Sequence, residues 1–116
     1  MTLQEQLEVV AKLKNLALRY CMTQEGRWIT QIDWPAIPVE LADLKGDVMG
    51  TYSFGAILLR KCPDANMLFG TYIHELRHRW QWEKHPFTYI IGKIYRPLIE
   101  KDACVQEGLA DNWISA

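Results

Sequence analysis

The chain has 116 residues, 49% of them hydrophobic, and a formal net charge of −1. That length fits one domain, and that composition supplies a core without disulfides. The near-neutral charge gives no global attraction to nucleic acid or to an anionic membrane, and the apolar runs are far too short to span a bilayer.

The opening segment, Thr2 to Met22, reads as an amphipathic helix. Thr2 and Glu5 fit a capping box, in which each side chain satisfies a free backbone N–H of the first turn. Leu3, Leu7, Val10, Ala17 and Cys21 recur at helical spacing, with Leu13 and Leu16 widening the stripe, and Gly26 is the expected stop. The segment has no basic leader and charges interrupt its apolar residues, so it does not read as a secretory signal. Cys21, Cys62 and Cys104 are odd in number and lack a C-x-x-C pair. They read as free thiols of a reducing cytoplasm, each a small buried hydrophobe.

Arg27 to Lys61 changes character. Trp28 to Ile32 predicts a short strand, broken by Asp33-Trp34-Pro35 and Ile37-Pro38. Asp47 to Ser53 and Ala56 to Lys61 predict two strands joined by a turn at Ser53-Phe54-Gly55. From Asp64 or Asn66 the pattern is helical again, with Phe69, Tyr72, Ile73, Leu76 and Trp80 on one apolar face and an end near His85-Pro86. A short apolar helix from Phe87 to Tyr95 follows, then a last helix that opens at Pro97 and runs to about Ile114. There is no repeat and no linker. The expected fold class is α+β, one domain over residues 1–116: an N-terminal helix, a small mostly antiparallel sheet, and three helices.

The chemical signal is His74-Glu75-Leu76-Arg77-His78, an H-E-x-x-H. Residues four apart on a helix share one face, so both imidazoles can reach one zinc ion at about 2.0–2.1 Å. Glu75, offset by one position, points beside the metal towards a bound water and is the expected general base. The competing reading makes these ordinary helix histidines and an ordinary glutamate.

A catalytic zinc needs a third protein ligand and an open position. His85 does not fit, because the metzincin spacing needs a glycine and a histidine where this chain has Gln81 and Lys84. It reads instead as a helix-end residue. Carboxylates of the last helix come next: Glu100 first, then Glu107, which shares a face with Glu100 at i, i+7, then Asp102. The small Ala103, one turn after Glu100, would let this helix approach the H-E-x-x-H helix closely. Tyr95 and Arg96 are candidate donors to a developing oxyanion, Tyr95 being placed in the catalytic set, with a structural role weighed beside each. Arg77, Arg79 and Lys84 form a basic cluster that Glu75 and Glu83 interrupt, so it reads as a solvated face and nucleic acid is not expected as a partner.

Residues Tyr72 to Trp113, through H-E-L-R-H-x-W-Q and R-P-x-x-E-x-D-A, resemble a compact zincin of the gluzincin type, as in small phage and bacterial metallopeptidase-like domains, and are similar to the SprT-like and ImmA/IrrE-like groups. The resemblance covers about a third of the chain. It implies a minimal zincin fold, Zn2+ held by His74, His78 and Glu100, catalysis by Glu75, and a peptide or protein substrate. By analogy, the strand near Ala56 to Lys61 would be the sheet edge along which that substrate lies. The resulting expectation is a cytoplasmic zinc-dependent peptidase. The alternative is a non-catalytic module of the same fold that acts by docking to a host or phage protein.

Overall fold

The computed structural model describes all residues, 1–116, and has an α+β architecture. Helix α1 (Leu3–Tyr20) starts at the expected capping box: Thr2 Oγ1 accepts from the Glu5 N–H at 3.1 Å, and Glu5 Oε1 accepts from the Thr2 N–H at 3.0 Å. It ends at Tyr20, earlier than Gly26. The Thr23 hydroxyl bonds the Tyr20 carbonyl and accepts from the Gly26 N–H, which turns the chain away. The buried face is Val9, Leu13, Leu16, Ala17 and Tyr20. Leu3 and Leu7, expected in that stripe, are exposed and border an open groove with Val39 and Leu41.

Residues Arg27–Gln31 form a 3-10 helix, not the expected strand. The reason lies in a spacing of three. Ile29 and Ile32 are both buried, and only a helical turn puts residues i and i+3 on one side, whereas a strand would put them on opposite faces. A second short 3-10 turn, Trp34–Ala36, buries Trp34.

The sheet has three strands, β1 (Val39–Ala42), β2 (Gly50–Ser53) and β3 (Ala56–Arg60), in the order β1-β3-β2. The β2–β3 hairpin matches the expected pair. Its two-residue turn, Phe54-Gly55, has φ of 54° and 78°, the left-handed pairing that suits the twist of a tight hairpin. β1 was not foreseen. It pairs parallel to β3, Val39 opposite Ile57, so the sheet is mixed rather than mostly antiparallel. β3 is therefore the central strand, not the edge expected to receive a substrate. The edges are β1 and β2.

Helix α2 (Ala65–Lys84) is capped by Asp64, whose carboxylate accepts from the Asn66 N–H at 2.9 Å. It runs through the middle of the molecule, with Leu68, Phe69, Tyr72, Ile73 and Leu76 fully buried against α1 and the sheet. It stops at His85, where Pro86 opens α3 (Pro86–Ile94), and Pro97 opens α4 (Pro97–Ser115). No helix is long and apolar enough to cross a membrane.

α4 packs antiparallel along α2, and small residues set the spacing. Ala103 and Ala110 of α4 have no exposed surface. On α2, Gly70 leaves room for the exposed Asp111 carboxylate, which would have to swing aside for any side chain there. Gly108 instead has open space around its Cα. Ala103→Leu should thus lower stability by about 1–3 kcal/mol through overpacking, while Gly108→Ala should raise it by about 0.5–1 kcal/mol through backbone entropy. Urea unfolding midpoints check both, and an unchanged Ala103→Leu midpoint would contradict the close approach.

Candidate metal centre

α2 carries His74 and His78 on its α4-facing side, one turn apart as a helix requires, with Glu75 offset by one residue. Their donor atoms all lie within 4.8 Å of one another, a group that could hold a metal ion. Glu100 reaches the same point from the first turn of α4. Its Oε2 is 3.1 Å from His74 Nε2 and its Oε1 is 2.8 Å from His78 Nε2.

The remaining ring nitrogens are also engaged. His74 Nδ1 lies 2.8 Å from Glu107 Oε1, one helical repeat further along α4. His78 Nδ1 lies 2.9 Å from Gln81 Oε1. The Gln81 amide nitrogen donates to the Ile99 carbonyl and to Asp102, each at 2.9 Å, which leaves its oxygen to accept. A carboxylate and an amide oxygen only accept, so both histidines carry their proton on Nδ1. In the neutral rings both Nε2 atoms then present lone pairs to the oxygens of Glu100. Acceptors facing acceptors at such distances need a cation between them, either a proton or a metal. The separations are close to the ~3.3 Å edge of a tetrahedron with bonds of about 2.0 Å. The donor set therefore fits a small divalent ion.

The titration of the group follows from the same contacts. Burial pulls the His74 pKa down, but Glu107, Glu75 and Glu100 outweigh it and the pKa is raised. For His78 burial wins over the bond to Gln81 and the pKa is lowered. Burial pushes Glu75 up to about 7, with Glu100 and Glu107 adding to the effect and His74 and Arg96 opposing it. Glu75 has no hydrogen-bond partner in the protein, and it lines a cavity of about 160 Å3. Gly50, Thr51 and Tyr52 of the edge strand β2 form one side of that cavity, and Lys93, Arg96 and Ile99 form the other. A carboxylate with a pKa near neutrality, facing a small polar cavity beside a metal-competent cluster, can exchange a proton with a water held there.

The other expected residues separate clearly. Asp102 does not enter the cluster. Burial would raise its pKa, but the bonds from Arg77 and Gln81 prevail and hold it below the usual range. Tyr95 is not at the cavity: it is 63% exposed and borders a separate depression with Pro97 and Lys101. It follows the last turn of α3 with non-helical φ and ψ of −111° and 88°, so its side chain diverges from that of Arg96, which does line the cavity. Trp82 packs over Tyr89 of α3, and His85 caps α2. Cys21 is buried, but Cys62 is only half-buried and Cys104 is exposed. Gln81 and Lys93 were not anticipated. Gln81, at i+3 from His78, could have been found from helix spacing; nothing in the sequence marks Lys93.

The two arginines of the basic cluster are already engaged, while Lys84 is solvated. Arg79 pairs with Glu83 at 2.7 Å. The Arg77 guanidinium lies 3.7 Å from the Trp80 ring centre and 4.9 Å from that of Trp28, and it grips both oxygens of Asp102. Through Asp102 it steadies Gln81 and hence the His78 ring. Lysine keeps the charge but not the planar fork that stacks and pairs at once. Arg77→Lys should lower stability by roughly 1–2 kcal/mol, read by urea unfolding; unchanged stability would mean that the clamp is idle.

Comparison of the chain with protein-family models, with curated proteins and with solved structures finds no match.

Proposed function

We propose that the protein is a zinc-dependent hydrolase, a peptidase of the gluzincin type, in which His74, His78 and Glu100 hold the ion and Glu75 is the general base. The observation that carries this reading is the convergence of both Nε2 atoms on the Glu100 carboxylate, at 3.1 and 2.8 Å, with both Nδ1 atoms held by acceptors. Hydrogen bonds from ligand imidazoles to such acceptors fix the tautomer and strengthen the ligand.

Zinc, when bound, supplies Lewis acidity that brings the pKa of a water to about 7 and polarises a carbonyl. The chain's own groups do the rest. Glu75, raised to about 7, takes a proton from the attacking water and delivers it to the leaving amine. Glu107 and Gln81 keep the histidines in the ligating tautomer. Arg96, at the cavity wall, offers guanidinium donors to a developing negative charge. The free edge of β2 can accept an extended peptide by main-chain pairing. Three unpaired cysteines suit a reducing, cytoplasmic setting.

The reading predicts one zinc per chain in protein purified without added metal, absent from His78→Ala, by elemental analysis. Gln81→Ala and Glu107→Ala should weaken zinc binding by about 10–100-fold, and Glu100→Ala by more than either. Glu75→Gln should keep the zinc and lose about a hundred- to ten-thousand-fold in turnover of a peptide substrate. A Glu75→Gln protein with its biological effect intact would favour the docking module instead. Failure of the wild type to take up zinc on titration would overturn the metal site itself.

A further inference from the structure

We propose that Lys93 and Arg96 form a carboxylate-binding subsite beside the His74–Glu75–His78 cluster, so that the protein selects peptides with a carboxylate one residue beyond the bond it cleaves. The cleavage part of this inference rests on the peptidase reading above; the subsite does not.

Both cations line the same cavity of about 160 Å3 as the cluster. They come from different elements. Lys93 belongs to the last turn of α3, Arg96 is the N-cap of α4, and the chain reverses between them. Their side chains nevertheless converge on one space. Lys93 has no carboxylate within ion-pair distance; its ammonium lies 5.0 Å from the centre of the Tyr89 ring. Arg96 uses one nitrogen on Glu100 Oε1, at 3.2 Å, and is otherwise free. Surface lysines and arginines are usually just solvated. Here an unpaired ammonium and a mostly unused guanidinium share a small polar cavity with the reactive groups.

Charge points the same way. The acids lining the cavity, Glu75 and Glu100, are matched in number by Lys93 and Arg96. A divalent ion among the ligands therefore leaves the cavity net positive, and the compensating charge must come from what binds there. Size limits the occupant. The space holds a handful of waters or about one amino-acid residue, and the α3–α4 junction walls it on the Lys93 side. A carboxylate held between a guanidinium and an ammonium at that wall makes strong charge-assisted hydrogen bonds. It would place the carbonyl of the preceding residue near the cluster. The carboxylate has two sources: the C-terminus of a peptide, or an aspartate or glutamate side chain.

Calorimetry can test this on the Glu75→Gln protein, with and without zinc, using three probes. These are N-acetyl-alanyl-alanine, its C-terminal amide, and N-acetyl-alanyl-aspartyl α-amide, which carries only a side-chain carboxylate. The expected result is that at least one acid binds about ten-fold tighter than the amide, or more. Lys93→Met should remove most of that preference without changing melting temperature or zinc content, and Arg96→Met should remove most of it in the zinc-free protein, where the loss of its bond to Glu100 cannot act through the metal. A preference for the first acid identifies the C-terminus as the source, and for the third probe the side chain. Equal binding of acids and amide overturns the subsite. So does a preference that survives the double substitution, which would assign it to the metal. If the preference is found but wild-type protein with zinc cleaves no peptide, the peptidase reading fails while the subsite stands.

Discussion

Everything at the candidate centre depends on how closely α4 lies against α2. The two helices run antiparallel, and the approach is set by residues without bulk on α4, Ala103 and Ala110. Carboxylates are short side chains. Glu100 and Glu107 reach the ring nitrogens of His74 and His78 at 2.8–3.1 Å only because the backbones are this near. α4 thus meets α2 with two acids a helical repeat apart. One touches the Nε2 atoms, the other the Nδ1 atom of His74, and the buried Ala103 between them lies on the contact line.

That geometry concentrates unfavourable terms. His74, Glu75, His78 and Gln81 are buried polar groups in a domain of modest size, and each would be destabilising without partners. All but Glu75 are satisfied within the protein. The network extends outward from Gln81 to Asp102, from Asp102 to Arg77, and from Arg77 to the faces of Trp28 and Trp80. The rest of the fold holds this arrangement rigid. α1, the 3-10 helix and the sheet pack the opposite face of α2 with a continuous apolar core. Of these four, Glu75 alone is left without a protein partner, and it faces the cavity.

The short α3 changes what the cavity can accept. A longer connection from α2 to α4 would leave the cavity open on both sides. Instead Gly92 lets α3 sit tightly on Ile99, and the chain turns at Tyr95 so that Lys93 and Arg96 face the cluster from the far side. The edge strand β2 stays open opposite them. The result is a cavity with one free sheet edge and one charged wall.

The sequence alone determined what is local. The capping box of α1 and the Asp64 cap of α2, the helical run of α2, the proline openings of α3 and α4, and the one-turn spacing of His74 and His78 all follow from interactions between residues a few positions apart. So did the short list of acids on α4. Tertiary structure decided the rest, because it depends on which faces meet. It put Glu100 on the Nε2 atoms and Glu107 on Nδ1, and sent Asp102 to Arg77, a choice set by the rotation of α4 against α2. It turned Trp28 to Ile32 into a 3-10 helix, since Ile29 and Ile32 had to enter the core together. It added β1 and made β3 central, because strand pairing joins residues that carry no mark of each other in the chain. It also parted Tyr95 from Arg96 and brought Lys93 to the cavity, through a chain reversal whose direction no local pattern encodes.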